Sequence, residues 1–73
     1  MKVGIIPNFT RTKTLEVTKN TILHLEKFNI EYFFERTYIN NFPIQIDESR
    51  FIDNLFELCD LTIIIGGDGS FIH

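Results

Sequence analysis

The sequence predicts an α/β protein with a three-layer, doubly wound (Rossmann-like) parallel sheet. Three observations carry this. Residues 2–6, Lys-Val-Gly-Ile-Ile, are a short apolar run stopped by Pro7, as expected of a buried strand. Residues 61–65, Leu-Thr-Ile-Ile-Ile, are nearly continuous in apolar character, the pattern of a parallel strand covered on both faces. Between the two runs lie segments with helical spacing, and alternation of strand and helix builds doubly wound sheets.

Taken in order, residues 13–28 read as the first helix. Leu15, Ile22 and Leu25 share a face with Thr18 between them, while Glu16, Lys19, Asn20 and Lys27 fall mostly elsewhere. Thr12 is the expected N-cap, and Asn29 suits the C-terminal end. Ile30-Glu31-Tyr32-Phe33-Phe34 reads as a second strand from its aromatic and β-branched residues. Asn40-Asn41 and Pro43 signal a loop, within which Ile44-Gln45-Ile46 could form a short edge strand. Asp47 is expected to cap a helix running to residue 58 that buries Phe51, Ile52, Leu55 and Phe56.

Right-handed crossovers build such a sheet outward from its first strand and then reverse. Whether or not residues 44–46 pair, the common strand orders place strand 61–65 beside strand 2–6. The loops leaving these two strands, Pro7-Asn8 and Gly66-Gly67-Asp68-Gly69, then flank the crevice where open α/β sheets bind ligands.

Composition narrows the partners. The chain has 73 residues and a net charge of −3, and its seven Lys and Arg form no basic stripe. Nucleic acid is therefore not an expected partner. No apolar run reaches the roughly 20 residues of a membrane span, so no membrane role is expected. Cys59 is the one cysteine, which fits a reducing cytoplasm and excludes an internal disulfide. It reads as a packed thiol, and His24 as a surface or packing residue with no ligand-spaced partner, so no protein metal site is expected. Tyr32, Phe33 and Phe34 read as core plus one exposed side.

The segment with chemical content is Gly66-Gly67-Asp68-Gly69-Ser70. Three glycines in four residues free the backbone for positive φ and for close approach to a ligand. A loop of this kind after a strand presents amide N–H groups to phosphate oxygens. A carboxylate in its middle would repel phosphate, but it suits removal of a proton from a hydroxyl, or Mg²⁺ binding. The plainer reading is a tight turn in which Asp68 caps a following helix.

Ile-Gly-Gly-Asp-Gly-Ser resembles the signature shared by NAD kinases, diacylglycerol-type lipid kinases and phosphofructokinases. Phosphofructokinases carry a second glycine-rich loop after the first strand, where this chain reads Pro7-Asn8-Phe9-Thr10-Arg11. Lipid kinases usually carry a Gly-containing loop after the Asn and an Asn-Glu pair soon after the signature, where this chain has Ser70-Phe71-Ile72-His73. NAD kinases read Gly-Gly-Asp-Gly-Thr, two apolar residues, then His, Arg or Lys. Ser70 keeps the hydroxyl of that Thr, His73 matches the basic position, and Lys2-Val3-Gly4-Ile5-Ile6-Pro7-Asn8 is similar to the family's first strand.

The resemblance implies transfer of phosphate from ATP, or another phosphoryl donor, to the adenosine 2′-hydroxyl of NAD, with Mg²⁺ or another divalent cation. It implies Asp68 as general base and NAD contact, Gly69 and His73 as NAD contacts, Gly66 and Gly67 as the phosphate-facing loop, and Asn8 near the nucleotide phosphates. It further implies that residues 1–73 are the amino-terminal part of the α/β domain, without the family's carboxy-terminal β domain or its Asn-Glu/Asp motif. The full-length protein is expected to be a homo-oligomer, and the 73 residues alone are expected to be inactive. The glycine loop calls for a following helix to complete an anion site, and only Ser70–His73 remain to form it. A lipid or sugar kinase of the same superfamily, or a receiver-like signalling domain, is the competing reading.

Overall fold

The structure is a computed structural model that describes residues 1–66 and the backbone of residues 71–72. Its sheet has five strands: β1 (Lys2–Pro7), β2 (Glu31–Glu35), β3 (Phe51–Ile52), β4 (Leu61–Ile65) and β5 (Phe71–Ile72). Their spatial order is β3-β2-β1-β4-β5. The first four are parallel, with Val3 opposite both Tyr32 and Leu61, and Pro7 opposite Ile65. Strand 61–65 therefore lies beside strand 2–6, as expected. Helix α1 (Thr14–Lys27) follows β1, and the single turn α2 (Leu55–Leu58) precedes β4.

The two helices cover opposite faces. Side chains alternate along β1, so Val3 and Ile5 face one way and Gly4 the other. Val3 and Ile5 pack into one core with Ile22 and Leu25 of α1 and with Tyr32, Phe34, Phe51 and Ile65. On the opposite face Leu55 of α2 sits directly over Gly4. A Cβ at Gly4 would lie 2.8 Å from Leu55 Cγ. Leu55 is fully buried and has nowhere to retreat. Gly4→Ala is expected to destabilise the chain by about 1–3 kcal/mol, the usual cost of overpacking. A lowered urea midpoint checks it.

Helix α1 ends as its sequence suggests. Asn29 adopts φ 57°, its amide donates to Glu26 O at 3.1 Å, and the Ile30 amide donates to Leu25 O at 2.8 Å. This double bond pattern closes a helix with a left-handed residue, and it delays β2 to Glu31. The amino end differs from expectation. Lys13, not Thr12, holds the N-cap position, and no side chain caps the helix. The buried stripe is Thr14, Thr18, Ile22 and Leu25. Leu15 lies about 100° round the helix from Thr14 and is 37 % exposed.

The largest departure is residues 47–58, which are not one helix. Asp47 does cap, accepting from the Ser49 amide at 3.1 Å and from the Ser49 hydroxyl, but it caps only the 3-10 turn Glu48–Arg50. Phe51 then pairs with Phe34 as an edge strand. The reason is aromatic packing: Phe51 is buried with ring centroids 5.7 Å from Phe34 and 5.2 Å from Phe42. Continuing the helix would pull Phe51 out of that cluster. Phe56, expected in the core, is 63 % exposed. Residues 44–46 form no strand; Ile44 and Ile46 instead lie half-buried against the core.

After the glycine loop the residues left, Ser70–His73, suffice only for a helical turn too short to be stable alone. The backbone of Phe71–Ile72 instead pairs antiparallel with β4, Ile63 opposite Ile72. The outer edge of β4 offers a row of unpaired backbone groups, and two residues gain more from that ladder than from part of a helical turn.

Candidate functional site

The strand order reverses between β1 and β4, which makes their carboxyl ends the switch point. Asn8 and Gly66 meet there. The Asn8 amide donates to Ile65 O at 2.8 Å, carrying the parallel pairing one residue past Pro7. The Asn8 side-chain amide donates to Gly66 O at 3.3 Å. Its Oδ1 accepts from the Thr10 amide at 3.2 Å and the Thr10 hydroxyl at 2.6 Å. Asn8 thus ties the loop after β1 to the loop after β4. The side chain read from the sequence as a neighbour of phosphate spends these bonds on holding the two loops together.

Gly66 is required for two reasons. Its φ is +85°, a conformation that side chains rarely adopt, and a Cβ there would lie 2.3 Å from Thr14 Oγ1 and 2.9 Å from Asn8 O. Thr14 opens α1 and is 2 % exposed, and its hydroxyl has no hydrogen-bond partner among the described residues. The first turn of α1 is thereby pressed against the start of the glycine loop. The positive amino end of the 14-residue helix thus lies beside Gly66 at the switch point.

Gly67, Asp68, Gly69, Ser70 and His73 lie outside the described residues. Of the expected site residues, Asn8 and Gly66 are therefore the two that the structure brings together.

Beside Asn8, on the β1–β4 sheet surface, lies a crevice of about 540 Å³. Ile6 and Ile64, paired across β1 and β4, lie at its base, and Phe9, Thr10, Tyr38 and Asn41 line it. Tyr38 belongs to the 3-10 turn Arg36–Tyr38 that follows β2, and the Asn41 amide donates to Tyr38 O at 3.2 Å. Burial, and then the charge of Glu35, push the Tyr38 hydroxyl above its ordinary pKa, so it stays neutral at pH 7. Sequence reasoning missed Thr14, Tyr38 and Asn41. The rule that pointed to the ends of β1 and β4 applies equally to the end of β2, and it could have pointed to Tyr38.

The other chemically interesting side chains lie elsewhere. Cys59 is half-buried just before β4, at the opposite end of that strand from Gly66. Burial and then Asp60 raise its pKa, which keeps the thiol protonated and unreactive. His24 is exposed on α1, with Nδ1 2.8 Å from Asn20 O. Among the described residues no three His, Cys, Asp or Glu side chains converge on a point that could hold a metal ion. None of their helices is long and apolar enough to cross a membrane.

The fold is an open, Rossmann-like α/β sheet with four parallel strands, and Asn8 and Gly66 stand at its switch point. The comparisons with known proteins sharpen this. The chain is similar to the NAD kinase of Chlorobium luteolum (strain DSM 273 / BCRC 81028 / 2530), with 33% identity over 72 residues. It is 29% identical over 72 residues to the NAD kinase of Chlorobium phaeobacteroides (strain BS1), and equally to that of Thermoanaerobacter sp. (strain X514). Each match takes in 99% of this chain and 25% of the relative, so the chain spans about a quarter of the length of the curated relatives it matches. No protein-family profile matches the chain. No solved structure matches it.

Proposed function

We propose that this chain supplies the first part of an NAD kinase site, in which ATP phosphorylates the adenosine 2′-hydroxyl of NAD to give NADP. The observation that carries the proposal is the junction of Asn8 with Gly66 at the switch point, directly before Gly67-Asp68-Gly69. Similarity over nearly the whole chain to NAD kinases supports it.

In this reading Asp68 takes the proton of the 2′-hydroxyl as its oxygen attacks the γ-phosphorus of ATP. The bond from that phosphorus to the bridging oxygen breaks, and ADP leaves. Backbone amides of Gly66 and Gly67 face phosphate oxygens, and Gly69, Ser70 and His73 contact the dinucleotide. Asn8 keeps the loop at its distance from β1. The described residues do not themselves build a cation cage. A divalent ion such as Mg²⁺, bound together with ATP, would supply neutralisation of the phosphate charge.

One strand-end loop cannot hold two nucleotides in line. The activity is accordingly assigned to a longer assembly, cytoplasmic and homo-oligomeric, and residues 1–73 alone are expected to form no NADP. The test is a chimera in which residues 1–73 replace the aligned 72 residues of the Chlorobium luteolum NAD kinase. With NAD, ATP and Mg²⁺ the chimera is expected to form NADP, whereas the 73-residue chain is not. A folded chimera that binds both nucleotides but transfers nothing contradicts the proposal, and so does sustained turnover by the monomeric 73-residue chain.

A further inference from the structure

We infer that the crevice between Phe9-Thr10 and Tyr38-Asn41 takes the uncharged heteroaromatic ring of a nucleoside, leaving the phosphates to the Gly66 side of Asn8. The inference rests on the nucleotide-binding reading above and goes further, because it assigns a subsite to residues that the glycine loop does not include.

Position comes first. Ile6 and Ile64, paired neighbours near the carboxyl ends of β1 and β4, line the crevice together with Asn8, so it opens at the switch point itself. Its volume of about 540 Å³ is in the range of small-molecule sites, roughly 300–1,000 Å³.

Lining chemistry then selects the ligand group. Among the described residues no Lys or Arg lines the crevice, and Tyr38 is neutral. Phosphate recognition needs cations or converging amides, so this is no phosphate site. The half-buried Ile6 and Ile64 side chains and the Phe9 and Tyr38 rings offer apolar and aromatic surface of the kind on which bases stack. Thr10 and Asn41 add hydrogen-bonding groups at its side. Nothing among the described residues bonds the Asn41 side-chain amide, which can both donate to and accept from a base edge.

The parts are also held in place. Phe42 meets Phe9 edge-on at 5.3 Å and Tyr38 at 6.2 Å, bracing both rings from behind. Thr10 is fixed by its two bonds to Asn8 Oδ1. The same Asn8 bonds Gly66 O. One residue therefore sets the distance from the proposed ring subsite to the glycine loop, and a nucleotide spanning the two would lie across Asn8.

Amide and methyl NMR of the 73-residue chain, titrated separately with adenosine, inorganic triphosphate, ATP and NAD, tests this. Adenosine is expected to shift signals of Phe9, Tyr38, Asn41 and Ile64, and either ATP or NAD to shift the same signals. Triphosphate is expected to move residues 66–70 and to spare those four. Tyr38→Ala should weaken adenosine about tenfold, which corresponds to about 1.4 kcal/mol. Asn41→Ala, at an exposed turn, should weaken it while the spectrum stays dispersed. If triphosphate moves residues 66–70 but adenosine leaves the four signals in place, the ring subsite is wrong and the nucleotide reading stands. If no ligand shifts any signal of a folded chain, both fall.

Discussion

In the chimera with the Chlorobium luteolum NAD kinase, Asp68→Asn is expected to lower turnover about 10²–10⁴-fold, the usual contribution of a positioned general base. Asn keeps the size and the hydrogen-bonding reach of the carboxylate but cannot accept the 2′-hydroxyl proton. The effect should therefore fall on kcat, with the Kd for NAD changed little, because a base acts mainly in the transition state. NADP formation under saturating substrates gives the first quantity and an equilibrium NAD titration the second. The split separates a base from a helix cap. Loss of a cap costs only about 0.5–2 kcal/mol of stability and would leave the rate of the folded enzyme near its parent value. Turnover within a few-fold of the parent would reject the assignment of Asp68.

Gly66→Ala should be the most damaging change to the fold of the site. A methyl there must tolerate φ +85°, 2.3 Å from Thr14 Oγ1 and 2.9 Å from Asn8 O. Strain at such a position and overpacking together cost roughly 2–5 kcal/mol. Domains of ordinary size have only about 5–15 kcal/mol in total, and a chain of 73 residues lies toward the lower end. The urea midpoint of Gly66→Ala is expected to fall sharply. Thr14→Ala in the same chain should restore part of the loss, because it removes the hydroxyl that the methyl strikes. Non-additivity of this kind marks residues in contact. An unchanged midpoint for Gly66→Ala would show that Thr14 and Gly66 do not pack as described.

Much of the frame was legible in the sequence because strong local signals agreed with the tertiary outcome. Asn29 took the left-handed position that closes α1, and the apolar run 61–65 became the neighbour of β1, which itself runs on through Pro7 rather than stopping before it. The segment 47–58 was not legible for a physical reason. Its spacing of Phe51, Ile52, Leu55 and Phe56 suits a helix, and Asp47 suits a cap. The stronger demand came from Phe34 and Phe42, distant in sequence, which draw Phe51 into the sheet edge. Leu15 failed in a milder way: the buried stripe of α1 begins with Thr14, and a polar residue at its head gives no apolar signal. At the site, Asn8 and Gly66 could be read from the loops that follow the two central strands. Tyr38 could have been read from the loop after β2, whereas Thr14 and Asn41 enter only through packing in three dimensions.

The central claim is that Asp68, just beyond the Asn8–Gly66 junction, is the group that faces the hydroxyl to be phosphorylated. A crystal structure of the chimera with NAD bound tests it most directly. The account predicts the Asp68 carboxylate within hydrogen-bond reach, about 2.6–3.2 Å, of the adenosine 2′-oxygen, with Asn8 still joined to Gly66. NAD bound with its 2′-oxygen facing another residue, and Asp68 turned inward as the cap of a helix, would contradict it.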